Sequence, residues 1–140
     1  MPTSGPKILV ADDHDAITAM VVAVIRAAMP DAEVLEAHDG LAAWRIVCDA
    51  RPSVVITDLE MPGMDGFELC RRIKANKATC DAEVIATTAH HCEQVAAKFL
   101  QGGARACFGK PFQLSRLLDE VQQSLRREGS GNEQAEEHAR

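Results

Sequence analysis

Short apolar runs alternate along this chain with longer stretches in which apolar side chains recur every three or four positions. The runs at 7–11, 33–37, 53–57, 83–88 and 104–108 have strand length, and three of the five are near-continuous, as strands covered on both faces are. Helical periodicity fills the stretches near 15–29, 40–50, 65–76, 91–101 and 113–127. The last is the cleanest: Leu114, Leu117, Leu118, Val121 and Leu125 form one stripe, with Arg116, Asp119, Glu120 and Gln123 away from it. Met29-Pro30, Asp39-Gly40, Gly102-Gly103 and Gly129 punctuate the boundaries.

Strict βα alternation with right-handed crossovers predicts an α/β fold, a five-stranded parallel sheet with helices on both faces. The strand order 2-1-3-4-5 makes it flavodoxin-like and doubly wound, with strands 1 and 3 together at the switch point where such sheets bind ligands. Residues 7–128 are expected to form one domain, preceded by an extension at 1–6. Residues 129–140 carry no apolar side chain larger than Ala and are expected to be a disordered tail.

Charge and composition narrow the function. A net charge of −6 disfavours direct nucleic-acid or membrane-surface binding, which needs a basic face. The apolar stretch Ile17 to Ile25 stops at Arg26, under half of the roughly 20 residues that span a bilayer. The start of the chain lacks the apolar core of a signal peptide. Cys48, Cys70, Cys80, Cys92 and Cys107 are odd in number and form no Cys-x-x-Cys pair, so neither zinc sites nor disulfides are expected. The cytoplasm is the expected location.

Polar residues close four of the runs. Asp12-Asp13 follows the first, Asp58 the third, Thr88 the fourth and Lys110-Pro111 the fifth. If these strands are parallel neighbours, three carboxylates, a hydroxyl and an ammonium meet at one sheet edge, a set that binds a divalent cation and a phosphoryl group. Plainer roles compete for each residue. Asp12 and Asp13 could cap a helix. Thr87 and Thr88 could be ordinary β-branched strand residues, and Thr87 is expected to pack in the sheet. Lys110 could be a solvated loop lysine. His90-His91-Cys92 reads as a polar entry to helix 4. His14 marks the start of helix 1, beside the acidic pair, where it could touch the phosphoryl donor, and Trp44 and Met20 read as core or half-buried packing residues.

With Met61-Pro62-Gly63-Met64-Asp65-Gly66 after Asp58, Thr88-Ala89, and Lys110-Pro111-Phe112, the chain from residue 7 to about 125 resembles the receiver domain of two-component response regulators. The resemblance implies that Asp58 is the phosphoacceptor. Asp13 and Asp58 would then ligate Mg2+ directly, Asp12 through a water, and Glu60 through its backbone carbonyl. Thr88 would be the switch hydroxyl and Lys110 the phosphoryl-binding cation, with Lys110-Pro111 joined by a cis peptide. The implied donor is a sensor histidine kinase or histidine phosphotransfer protein. The implied output is a downstream protein bound on the helix 4–strand 5–helix 5 face by a monomer or weak homodimer. Catalysis would extend only to Mg2+-dependent self-phosphorylation and autodephosphorylation, and the chain is expected to act as a stand-alone receiver. The runner-up readings are an aspartyl phosphatase of the dehalogenase-like type, with Glu60 as its second acid, and a flavodoxin-like cofactor binder. The chain departs from the pattern at Cys107, where the family carries an aromatic three residues before the lysine. Output would then run through the loop after Thr88 and the helix 4 face of Glu93, Gln94, Ala97 and Lys98. Glu60 and His90 would flank the route of hydrolytic water.

Overall fold

Parallel pairing throughout the sheet brings the C-terminal ends of all its strands to one edge. The computed structural model describes residues 5–130. Its strands are β1 (Lys7–Ala11), β2 (Glu33–Ala37), β3 (Val54–Asp58), β4 (Glu83–Thr88) and β5 (Ala106–Gly109), ordered β2-β1-β3-β4-β5. The helices are α1 (Asp15–Ala28), α2 (Gly40–Ala50), α3 (Gly66–Ala75), α4 (Glu93–Gln101) and α5 (Leu114–Ser130). The expected fold is the observed one.

Alternation along the strands divides the core in two. Leu9, Val55, Val84 and Ala86 face α2, α3 and α4, where they meet Val47, Leu69, Ile73 and Phe99. Ile8, Val10, Val54, Ile56 and Ile85 face Val21, Val22 and Ile25 of α1 and Leu117 and Val121 of α5. Each such aliphatic side chain contributes about 1.5–3 kcal/mol by leaving water. The sheet is thus a rigid plate with a polar rim.

The Met61–Gly66 segment holds that rim in place. Met61 and Met64 are buried, and Gly63 takes a φ of 82°, a left-handed conformation that glycine adopts freely. Asp65 caps α3 by accepting from the Glu68 N–H at 2.9 Å. A Cβ at Gly66 would lie 2.3 Å from the Asp58 carbonyl oxygen, so only glycine lets α3 start directly against the end of β3.

Several boundaries differ from expectation. β3 runs to Asp58, which pairs in register with Thr87, so the carboxylate projects from the sheet itself. β5 begins at Ala106, because the Ala104 N–H is still bonded to the Phe99 carbonyl at the end of α4. α4 begins at Glu93, after a turn in which the His90 N–H bonds the Thr88 hydroxyl. α5 continues through Gly129 to Ser130; an interior glycine costs a helix only about 1 kcal/mol. The rest of the expected tail, 131–140, lies outside the described residues, as do residues 1–4 of the expected extension. Met20 is 53% exposed and not a packing residue, since the buried stripe of α1 is Thr18, Val21, Val22 and Ile25. Trp44 is half-buried against the α2–α3–α4 side of the core.

Candidate functional site

β1 delivers Asp12 one residue past its end, and β3 delivers Asp58 as its last residue. Both are buried, at 4% and 3% exposure. Lys110, directly after β5, spans them: its Nζ lies 3.0 Å from Asp12 Oδ2 and 3.3 Å from Asp58 Oδ2. The Lys110-Pro111 bond is cis. Asp13, half in solvent, completes the acidic group, and ligand atoms of Asp12, Asp13, His14 and Asp58 all lie within 4.8 Å of one another. The helix-cap role for the acidic pair is not what the structure shows. His14 is the N-cap of α1 and makes no side-chain cap, while Asp12 takes the His14 N–H at 2.9 Å and faces Lys110.

Burial pushes the Asp58 carboxyl above its ordinary range, and the neighbouring Asp12 charge adds to it; Lys110 and the Leu59 N–H pull the other way without cancelling the rise. The pocket therefore holds more negative charge than its ammonium neutralises. A hard cation that prefers oxygen ligands fits this donor set, because it relieves the repulsion that raises Asp58. The Asp58 oxygens are differentiated. Oδ1 accepts the Leu59 N–H at 2.9 Å, and Oδ2 turns toward Lys110.

Other expected residues sit at the rim without joining the cluster. Thr88 is fully buried at the end of β4, and its hydroxyl accepts from the His90 N–H at 3.0 Å. Thr87 packs in the sheet, as expected. The Glu60 side chain turns outward, and its Oε1 lies 3.2 Å from His90 Nε2. Cys107 is half-buried on the α2–α3–α4 side, burial raising its thiol pKa, while Phe108 faces the opposite side near Phe112. Lys98 is exposed on α4, with Nζ 4.2 Å from the centre of the Phe67 ring. His14 is the member that sequence reasoning undervalued. Its Nδ1 lies 3.0 Å from Asp12 Oδ1 and 3.2 Å from Asp13 Oδ1, and these carboxylates raise its pKa. Adjacency to Asp12-Asp13 was the only available signal.

The sequence pattern of the response regulator receiver domain matches residues 8–122. The chain belongs to this family. Over 131 residues it is 33% identical to the phosphate regulon transcriptional regulatory protein PhoB of Pseudomonas aeruginosa, covering 94% of this chain and 56% of that one. It is 32% identical over 119 residues to sporulation initiation phosphotransferase F of Bacillus subtilis, covering 85% of this chain and 93% of that one. The signal receiver domain of a DNA-binding response regulator from Colwellia psychrerythraea superposes with a TM-score of 0.81 at 32% identity, over 86% of this chain and 98% of that one. The chain spans about half the length of the curated relatives PhoB, RpaA and MtrA.

Receiver domains are phosphorylation-switched modules of two-component systems, not enzymes in the usual sense. They bind Mg2+ at an acidic pocket and interact with histidine kinases or phosphotransfer proteins and with downstream targets. Family membership displaces the phosphatase and cofactor-binder readings. Among the described residues no helix is long and apolar enough to cross a membrane.

Proposed function

We propose that this receiver accepts a phosphoryl group on Asp58 from a phosphohistidine of a sensor kinase or phosphotransfer protein. It then signals through protein contacts made by α4, β5 and α5. The observation that carries this reading is Asp58 Oδ2, held 3.3 Å from Lys110 Nζ at the open edge of the sheet. In the transfer the P–N bond of the donor breaks, an O–P bond forms to Asp58, and the donor imidazole leaves with its electron pair. Asp58 needs no general base, since its carboxylate is already the nucleophile. The work left to the protein is positioning and charge neutralisation.

Asp13 and Asp58 are the residues that would hold Mg2+, with the Glu60 carbonyl, and with Asp12 acting through a water. When bound, the ion supplies the positive charge that offsets the carboxylates and the phosphoryl oxygens. Lys110 attracts one phosphoryl charge by about 4 kcal/mol at 4 Å and an effective dielectric near 20. The Thr88 hydroxyl, which accepts from His90 in this structure, still has its own hydrogen to donate. Donation to a phosphoryl oxygen is worth about 1.5–3 kcal/mol, enough to shift the Ala89–Cys92 turn by one to two orders of magnitude. His90 moves with that turn, which couples the Glu60–His90 pair at the pocket mouth to the phosphorylation state and to autodephosphorylation. Cys107 lacks the bulk to gate the α4–β5 surface, so the turn itself carries the signal. The net charge of −6 supports protein rather than nucleic-acid partners for a monomer or weak dimer in the cytoplasm. The functional unit is residues 7–128.

Incubation with Mg2+ and acetyl phosphate tests the assignment. One acid-labile phosphate per chain, absent from Asp58→Asn, is the expected result. Labelling that persists in Asp58→Asn, or steady turnover of a generic phosphate ester, overturns it.

A further inference from the structure

A cavity of about 480 Å3 opens between α3 and α4. Phe67, Cys70 and Phe99 give it apolar walls, and Arg71 and Lys98 bring cations to it. None of these residues belongs to the acidic cluster at the strand ends. That volume, and apolar walls with a few polar groups, are those of a small-molecule site. The Phe67 and Phe99 rings stand 4.4 Å apart, with Phe99 buried and Phe67 half-buried.

The charges around the cavity are unevenly matched. Both acids in its lining already have partners: Asp65 caps α3, and Glu68 is held by Arg71 and Arg72. Lys98 forms no ion pair among the described residues, and its ammonium rests 4.2 Å from the centre of the Phe67 ring. An unpaired cation against an aromatic wall, on a chain of net charge −6, is the complement of an aromatic anion. A neutral aromatic would leave Lys98 unpaired, and an aliphatic acid would make poor use of the ring.

We infer that the α3–α4 cavity binds a small planar aromatic acid, its ring against Phe67 and its carboxylate on Lys98. The inference goes beyond the phosphoryl-accepting role of Asp58 and does not depend on it. The ligand ring takes the place of the ammonium over Phe67, and the flexible four-carbon stem of the lysine carries the charge to the acid.

The test titrates three probes into the full chain labelled with 15N and follows the backbone amides of residues 67–72 and 98–103 by NMR. Naphthaleneacetate carries both features, naphthaleneacetamide keeps the ring without the charge, and cyclohexaneacetate keeps the charge without the aromatic ring. Naphthaleneacetate should shift amides on both helices with a Kd of about 1 mM or tighter. Each of the other two should bind at least about threefold more weakly. Lys98→Met, an exposed change that leaves the core alone, should bring naphthaleneacetate down to the affinity of its amide, and Lys98→Arg should keep the preference for the acid. Phe67→Leu should weaken both naphthalene probes and leave cyclohexaneacetate unchanged, with the dispersion of its amide spectrum showing that it folds. Amides unmoved on either helix with naphthaleneacetate well above that Kd, equal binding of the three probes, or a preference for the acid that survives Lys98→Met would each overturn the inference. None of these outcomes bears on phosphorylation of Asp58.

Discussion

Two carboxylates only a short loop apart have opposite fates. Glu68, on the solvent face of α3, lies 2.9 Å from Arg72 Nε and accepts two bonds from Arg71, and these guanidiniums hold its carboxyl down to about 2. Asp58, at the end of β3, has the single Lys110 ammonium 3.3 Å away, shares it with Asp12, and is pushed above its ordinary range by burial and by Asp12. The α3 surface gathers charge to satisfy it. The pocket gathers charge of one sign and leaves it under-neutralised, which is tolerable only because a packed sheet on either side holds the strand ends in place. Such residual charge marks a place built for a ligand. A bound cation would relieve that repulsion and leave room for the charge of an incoming phosphoryl group.

The largest effect should come from removing the ammonium. Lys110→Met should slow phosphorylation of Asp58 by about two orders of magnitude, a part of its roughly 4 kcal/mol attraction for the phosphoryl charge. Initial rates of acid-labile phosphate formation from acetyl phosphate check this, and a loss of under about threefold would unseat Lys110 from its role.

Next comes the repulsion itself. In metal-free buffer at neutral pH, Asp58→Asn should stabilise the fold and raise Tm. The sign follows from the raised pKa: the folded state holds a proton more tightly than the unfolded chain, so the wild type loses stability as pH rises through the folded value. The gain should therefore be complete at neutral pH and vanish as pH falls to the ordinary carboxylate value of 3.8. Thermal melts across that range would expose an error as an Asn variant that melts lower at pH 7.

The smallest effect belongs to the satisfied acid. Glu68→Gln should lower Tm less than Asp58→Asn raises it, and the loss should fade in high salt, because the Arg71 and Arg72 pairs are exposed. Glu68 has a depressed pKa, so its contribution is present above the unfolded value of 4.5 and lost as pH falls toward about 2. A Tm loss larger than the Asp58 gain, or one insensitive to salt, would remove the contrast between the two regions.

Much of this was legible without coordinates, because hydrophobic period reports burial relative to each element's own axis. The five strands, five helices and their order follow from it, and so does the placing of Asp12, Asp58 and Lys110 at strand ends. What period cannot carry is contact between distant elements. Lys110 meets Asp12 across 98 positions, and only the sheet order makes them neighbours. Whether Asp58 ends β3 or begins the loop depends on its pairing with Thr87. The direction of the Thr88 hydroxyl, the inward ring of His14 and the outward turn of Glu60 toward His90 are rotamer choices made among side chains that meet only in the folded molecule. Met20 shows the same limit from the other side: an apolar residue on a helix is buried only if the packed stripe passes over it, and here it does not. Local patterning chose the elements and their chemistry, and long-range packing decided which of those groups face one another.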